Sequence, residues 1–409
     1  MASITTTGLF LGGLLTLIQV TPSWTLSSAQ LSSVAAELAA AIPTASGFPR
    51  VDAIGGMVRL PFHDAFGERT VPDGCLDPNE GDHNGLEVVR DLIDPICAAH
   101  AGYLSRADCW VIAGNVAIVA AGGGTVPFRF GRLDCANETA SVDTGLLPEA
   151  APEGNAWDHI TAVFGPDRAG MSTREIVALM GAHSLGRPSS DPNSNSGFTA
   201  VPWVPDVPDP ANPGGDRLTY RYFRSITAVP WVHTDAVPGE WLHTPPGAGA
   251  APDSLMLNVD MSLVINTSSC ARVGNGGGRI TFGGTVVNQG DCIYNTEPAD
   301  VVAEFAVRGN EAQWLGEFAG VMQKMTELGY SEWSLGGAIS STRLCEVTDE
   351  SAGGVCASSG AALDGTASPS ATPITPAPTP EAEASGSDSS AGTGLLAIIG
   401  AIVGTLMLV

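Results

Sequence analysis

Residues 171–186 read MSTREIVALMGAHSLG, a helix with a marked start, one apolar face and a stop, ending on a single histidine. Ser172 and Glu175 form a Ser-x-x-Glu capping box, in which hydroxyl and carboxylate satisfy each other's unpaired backbone donors. Ile176, Leu179, Met180 and His183 then share a face, and Gly186 ends the segment. A lone histidine in such a place is more often a satisfied core residue than a ligand. As a ligand it needs a carboxylate behind it to receive its other ring N–H. Asp260, in the apolar run LMLNVDMSL at 255–263, is the candidate, and a buried Asp there needs a partner of its own.

Upstream, residues 59–64 read Arg-Leu-Pro-Phe-His-Asp. Arg59 and His63 are four apart and fall on one face of a helix. A fixed cation beside a neutral imidazole suits a substrate that loses a proton and then carries negative charge, peroxide among them. Taken alone, an Arg/His pair at this spacing describes a solvated face as readily as a site. Pro61 removes a backbone donor from this helix and should bend it.

Further helical periodicity covers Ile54, Met57, Val58 and Phe62, then Leu86, Val89, Leu92 and Ile93. Ser105-x-x-Asp108 starts another helix that runs to about Ala121, and a last long one spans about Glu311 to Leu328. Gly- and Pro-rich loops separate them, notably 187–216 and 236–253, and 278–287 reads as a short hairpin. The class is mainly α.

The chain has 409 residues, 44% of them hydrophobic, enough for one sizeable core. Its formal net charge of −25 disfavours nucleic acid and anionic membranes as partners and favours cationic ones. Residues 8–20 have the length of a signal-peptide core, placing a signal peptide at 1–29 with small residues Ser27 and Ala29 before Gln30. The folded domain then spans 30–345. Residues 346–393 turn to Ser, Thr, Pro, Ala and acidic residues, an extended stalk open to O-glycosylation. The apolar tail at 394–409 reads as a GPI-anchor signal or a membrane helix, either of which leaves the globular part outside the cell.

The eight cysteines (75, 97, 109, 135, 270, 292, 345 and 356) contain no CxxC pair and suit disulfides in that compartment. Cys270 with Cys292 is one plausible bridge, across a Gly-rich turn. Asn137 and Asn266 each open a glycosylation sequon.

Taken in order, these segments resemble the haem peroxidases of plants, fungi and bacteria. Residues 59–64 are similar to the family's distal signature, Asn84-Gly-Leu-Glu87 to the segment whose Asn accepts a hydrogen bond from the distal histidine, and 105–134 to its central helix and the Gly-Arg-x-Asp motif after it. Leu179–Gly186 resembles the proximal ligand motif, Asn258–Leu263 the segment bearing the proximal Asp, and Phe318–Leu328 the last core helix. The resemblance covers about residues 45–335 and implies two helical halves sandwiching haem b.

By the same resemblance His183 ligates the iron, with Asp260 accepting from its other nitrogen. Arg59 and His63 handle hydrogen peroxide, Asn84 holds His63, and Asp108 with Arg132 forms a structural ion pair. Phe62 is the distal aromatic, as in the secreted members, and Ser184 follows the proximal histidine. Ser196–Trp203 is instead similar to the intracellular group's segment, which places Trp203 beside the haem as an electron relay or a structural residue. Asn195, where ascorbate peroxidases carry Arg, counts against ascorbate. Asp64 and Asp73 stand where secreted members bind calcium, although Cys75 replaces an expected hydroxyl ligand.

The expectation is a monomeric, secreted or surface-anchored peroxidase that oxidises a small organic donor or a basic redox protein one electron at a time. Its alternative is a haem-bearing adhesion protein with vestigial catalysis, against which the intact Arg59, His63, Asn84, His183 and Asp260 argue.

Overall fold

The computed structural model describes residues 26–44, 48–66, 71–77, 81–135, 147–149, 152, 154–188, 201–204, 215–229, 231–233, 239–244, 252–268, 293–330 and 344–346. They all lie in one unit, residues 1–360; a second unit, 361–409, lies outside them. The expectations for the signal core, the hairpin at 278–287, Asn137, Asn195, the pair Cys270–Cys292, the stalk and the tail likewise fall outside the described residues. Among those described, no helix is long and apolar enough to cross a membrane.

The first helical group comprises α1 (Ser28–Ala41), α2 (Phe48–Phe66), α3 (Leu86–Ala99) and α4 (Arg106–Ala120). Helix α1 is capped by Ser27 and Gln30, so the expected cleavage point before Gln30 falls within its first turn. Helix α4 is buried on nearly every side, as expected of a segment apolar all round, and α1, α2 and α3 pack against it. Pro61 does not end α2. Its ring lies where Gly114 of α4 leaves room, and a Cβ at Gly114 would meet Pro61 Cγ at 2.8 Å. Helix α3 buries Leu86, Val89 and Ile93, whereas Leu92, grouped with them by period, is exposed. Disulfides join Cys97 to Cys109 and Cys75 to Cys135.

The second group comprises α5 (Ala156–Phe164), α6 (Thr173–Met180), α7 (Arg221–Ala228), α8 (Asn258–Met261), α9 (Thr296–Phe305) and α10 (Glu311–Thr326). Helices α6 and α10 pack together, and α10 also meets α2, linking the two groups. An antiparallel sheet of β2 (Val232–His233), β3 (Glu240–His243) and β4 (Ser254–Leu257) leads directly into α8. A two-stranded ladder pairs β1 (Arg129–Phe130) with β5 (Cys345–Glu346).

Two buried features fix the groups to each other. Arg132 Nη1 donates to Asp108 Oδ1 at 2.7 Å, and Arg132 Nε donates to the Thr326 carbonyl at the end of α10. Gly55 of α2 and Gly186 touch backbone to backbone: a Cβ on Gly55 would lie 2.6 Å from Gly186 Cα. Gly186 holds a φ of 72°, the region a side chain disfavours, and its N–H donates to the Gly215 carbonyl.

Gly55→Ala should cost about 1–3 kcal/mol through this clash, read as a lower unfolding midpoint in denaturant. Asp108→Ala should cost about 3–5 kcal/mol by stranding Arg132 in the core, and a smaller loss would show that water reaches it.

Candidate active site

On the distal side, α2 carries Arg59 half-buried and His63 buried, one turn apart. Arg59 Nε donates to His63 Nε2 at 2.9 Å, so the pair read from its spacing is in contact. Arg59 also clamps the neighbouring segment: Nη1 donates to the Asn84 carbonyl at 2.9 Å, and Nη2 to the Asp82 carbonyl. Burial pushes the Arg59 guanidinium down to about 10, against Asp82 and Glu87, so it remains a cation at neutral pH. Burial, then the Arg59 cation and the neighbouring imidazole of His83, hold His63 well below the ordinary histidine value, so it is a neutral base. Phe62 packs edge-on to His63 and against Phe66 and Phe164.

The hydrogen bond expected between His63 and Asn84 is not formed. Asn84 is exposed and meets Arg59 through its backbone carbonyl, while His63 Nδ1 has no partner among the described residues. The neighbouring His83 is the buried residue of this turn, its ring 5.3 Å from that of His63. Counting along Asp82-His-Asn-Gly85, the residue facing inward is one earlier than the motif reading placed it.

Asp64, the next residue on α2, accepts the N–H groups of Asp73, Gly74 and Cys75 and so ties that loop to the helix. Burial and Asp73 raise its carboxyl to about 8, against those three hydrogen bonds. Asp64, expected from the resemblance at a calcium position, pins this backbone. The Asp73 carboxylate lies beside Cys75 and Cys135, whose sulfurs are joined to each other.

On the proximal side, α6 keeps its Ser172–Glu175 capping box, but the α-helix ends at Met180. His183 sits in a tighter 3-10 turn, Gly181–Ser184. The turn is pressed on α10, where a Cβ at Gly181 would meet Trp314 Cζ2 at 2.4 Å. Ser184 is fully buried, its hydroxyl donating to the Gly181 carbonyl and accepting from Thr219 N–H, so it holds the turn.

His183 Nδ1 faces Asp260 Oδ1 at 2.7 Å. The same oxygen accepts from Tyr222 Oη at 2.6 Å, and Asp260 Oδ2 accepts from Leu257 N–H at 2.8 Å. Burial and the adjacent Asp260 push the Tyr222 phenol well above its usual range, which keeps it a donor. Trp203 stacks flat on His183, centroids 4.2 Å apart and planes 4° from parallel. Its segment is tied to β4 by Leu255 N–H donating to the Pro202 carbonyl.

The donor set fits a haem. With Nδ1 engaged by a carboxylate, His183 presents Nε2 as a neutral nitrogen lone pair, and its side chain is 32% exposed although its backing is buried. Sequence reasoning found Arg59, His63, His183, Asp260 and Trp203. It missed Tyr222, whose only signal was the sharply amphipathic run TYRYFRSI at 219–226, and it passed over His83.

Comparison with known proteins agrees with this geometry. A family model described as "Peroxidase" matches residues 34–274. A heme-binding peroxidase of Mycosarcoma maydis is 34% identical over 182 residues, covering 44% of this chain and 50% of that protein. A mitochondrial cytochrome c peroxidase of Emericella nidulans is 37% identical over 186 residues, 43% and 46% of the two chains. A chloroplastic L-ascorbate peroxidase of Oryza sativa subsp. japonica is 34% identical over 181 residues, 41% and 36%. The chain spans about half the length of the curated relatives it matches. With the paired Arg59 and His63, the His183–Asp260 dyad and a family match over most of the folded part, the chain belongs to the peroxidase family.

Proposed function

We propose that this chain reduces hydrogen peroxide to water at a haem b held by His183, drawing electrons singly from a donor. The observation that carries the reading is His63: a buried, neutral imidazole whose Nε2 is met by a guanidinium, Arg59, charged at neutral pH. A haem on His183 Nε2 would supply the iron that takes the electrons on to peroxide.

The residues of the chain do the rest. His63 Nε2 takes the proton from one peroxide oxygen and returns it to the other, which leaves as water. Arg59 turns its guanidinium to the charge that develops as the O–O bond breaks. Two electrons and two further protons complete the balance to two waters, each donor molecule giving one electron. Asp260 keeps the His183 proton on Nδ1 and therefore keeps Nε2 available as the ligand.

Trp203 favours a redox protein as donor. Its ring lies face to face with the ligand histidine, a contact through which an electron arriving from outside could reach the site. The net charge of −25 would draw a basic partner to the surface. The Cys75–Cys135 and Cys97–Cys109 bridges support a secreted or cell-surface location, with the apolar tail at 394–409 as anchor.

His63→Leu should slow the reaction of the haem-loaded protein with peroxide by about 10²- to 10⁴-fold, measured by stopped-flow absorbance, while haem stays bound. An unchanged rate would sink the reading. The wild-type rate should be flat through neutral pH. The active form needs neutral His63 and charged Arg59, so activity is lost on the acid side only well below the ordinary histidine value, and on the alkaline side towards about 10. Trp203→Phe should leave the peroxide step intact and slow oxidation of a basic protein donor such as cytochrome c about tenfold or more. An equal loss with small phenolic donors would remove the protein-donor reading.

A further inference from the structure

Two buried nitrogen atoms in the distal site lack partners: His63 Nδ1 and His83 Nε2. Their proton states follow from what surrounds the other nitrogen of each ring. Arg59 Nε points its N–H at His63 Nε2, and a guanidinium can only donate, so Nε2 is bare and the His63 proton sits on Nδ1. His83 Nδ1 lies 3.0 Å from the Asp77 carbonyl, which can only accept, so Nδ1 carries the His83 proton. In neutral His83 the remaining Nε2 is an acceptor. One ring therefore has an unmatched donor and the other an unmatched acceptor. The rings are neighbours, centroids 5.3 Å apart with planes 68° from parallel, and turning them so that the two unpartnered nitrogens face each other would bring those atoms to N–H···N distance. A buried donor and a buried acceptor each left bare are costly, and pairing them removes both penalties.

The placement of His83 is itself held by Arg59. The guanidinium donates to the carbonyls of Asp82 and Asn84, on either side of His83, and fixes this turn against the helix that bears His63.

We propose that His83 accepts the hydrogen bond from His63 Nδ1 and thereby holds His63 in the tautomer whose Nε2 is free to act as base, a positioning role that rests on the peroxide-reducing reading above. Arg59 fixes that tautomer only while it donates to Nε2. Once its guanidinium turns to the charge on the substrate, the acceptor at Nδ1 alone keeps the proton off Nε2. The chain Asp77 carbonyl, His83, His63 is then an ordered path of hydrogen bonds ending at the reacting atom.

The test uses the full chain with ¹⁵N-labelled histidine, loaded with diamagnetic zinc protoporphyrin for NMR and with haem for kinetics. With seven histidines the ring signals are assignable by substitution. The wild type should show a downfield, slowly exchanging His63 Nδ1 proton with a ¹⁵N–¹⁵N coupling across to His83 Nε2. His83→Leu should abolish that signal and slow the peroxide reaction about tenfold or more. His83→Gln, whose side-chain oxygen can accept near the place of Nε2, should recover a downfield Nδ1 proton and most of the rate.

A wild-type His63 with its proton on Nε2, or an Nδ1 proton that survives His83→Leu unchanged, overturns the proposal. The first of these needs no variant, so a His83→Leu chain that fails to fold leaves the decision to the wild type and His83→Gln. A wild type that shows the coupling yet ignores peroxide would refute the enzymatic reading and leave the hydrogen bond standing.

Discussion

A carboxylate with no solvent and no formal counter-ion must collect hydrogen bonds from every side, and in this chain Asp260 is fully buried. Three donors reach it from three parts of the sequence: His183 Nδ1, Tyr222 Oη and its own Leu257 N–H. To satisfy it, the turn after α6, the helix α7 and the end of the β2–β3–β4 sheet must converge on one point. The architecture of the second helical group follows. Strand β4 has to deliver α8 at the right depth, and the Leu255 N–H to Pro202 carbonyl bond along the same strand brings Trp203 against His183. A chemical requirement of one ligand histidine, an acceptor behind it, is thus also the packing rule that brings together the turn after α6, helix α7 and the β4–α8 junction.

A different economy, the absence of side chains, works within each group and between them. Gly114 admits Pro61, Gly55 admits Gly186, and Gly181 admits Trp314. Each contact draws two backbones or a backbone and a ring closer than any Cβ would permit. Of the three, Gly55–Gly186 matters most to the site, because it joins the helix bearing Arg59 and His63 to the segment just after His183. The buried Asp108–Arg132 pair secures the same junction from the far side through Thr326.

What the sequence revealed depended on whether a signal was local. The caps at Ser105 and Ser172, the i, i+4 spacing of Arg59 and His63, and the stop at Gly186 are all short-range, and each appears in the structure. The C-terminal end of α6 was less legible: periodicity carries a helix through His183, whereas the last turn is 3-10 and packs on Trp314, more than a hundred residues away. Helices α5, α7 and α9 are short and take their stability from packing, so periodicity alone gave them little weight. Tyr222 became a site residue only when α7 met α8, a long-range event with no sequence spacing to betray it. The misplacement at Asn84 has the same origin. Which of two adjacent polar residues faces inward is decided by the backbone of the 3-10 turn Gly81–His83 and by Arg59 clamping it, not by the residue types themselves.

His63 shows why such details lie beyond pattern reading. A base in this position must meet two separate conditions. It must be neutral, which burial and the charge of Arg59 ensure at some distance and without strict geometry. It must also carry its one proton on the correct nitrogen, which takes an acceptor at a definite place and angle. The first condition leaves a mark in sequence, because a cation one helical turn away is a spacing. The second leaves none, because its partner belongs to another element and can be any acceptor that reaches. In the proposal made above that acceptor is an imidazole, His83, which must itself be held in one tautomer, and the Asp77 carbonyl beside its Nδ1 supplies that constraint. On that proposal, directional control at the reacting atom is passed outward through His83 until it ends on a main-chain carbonyl, which no side-chain substitution removes.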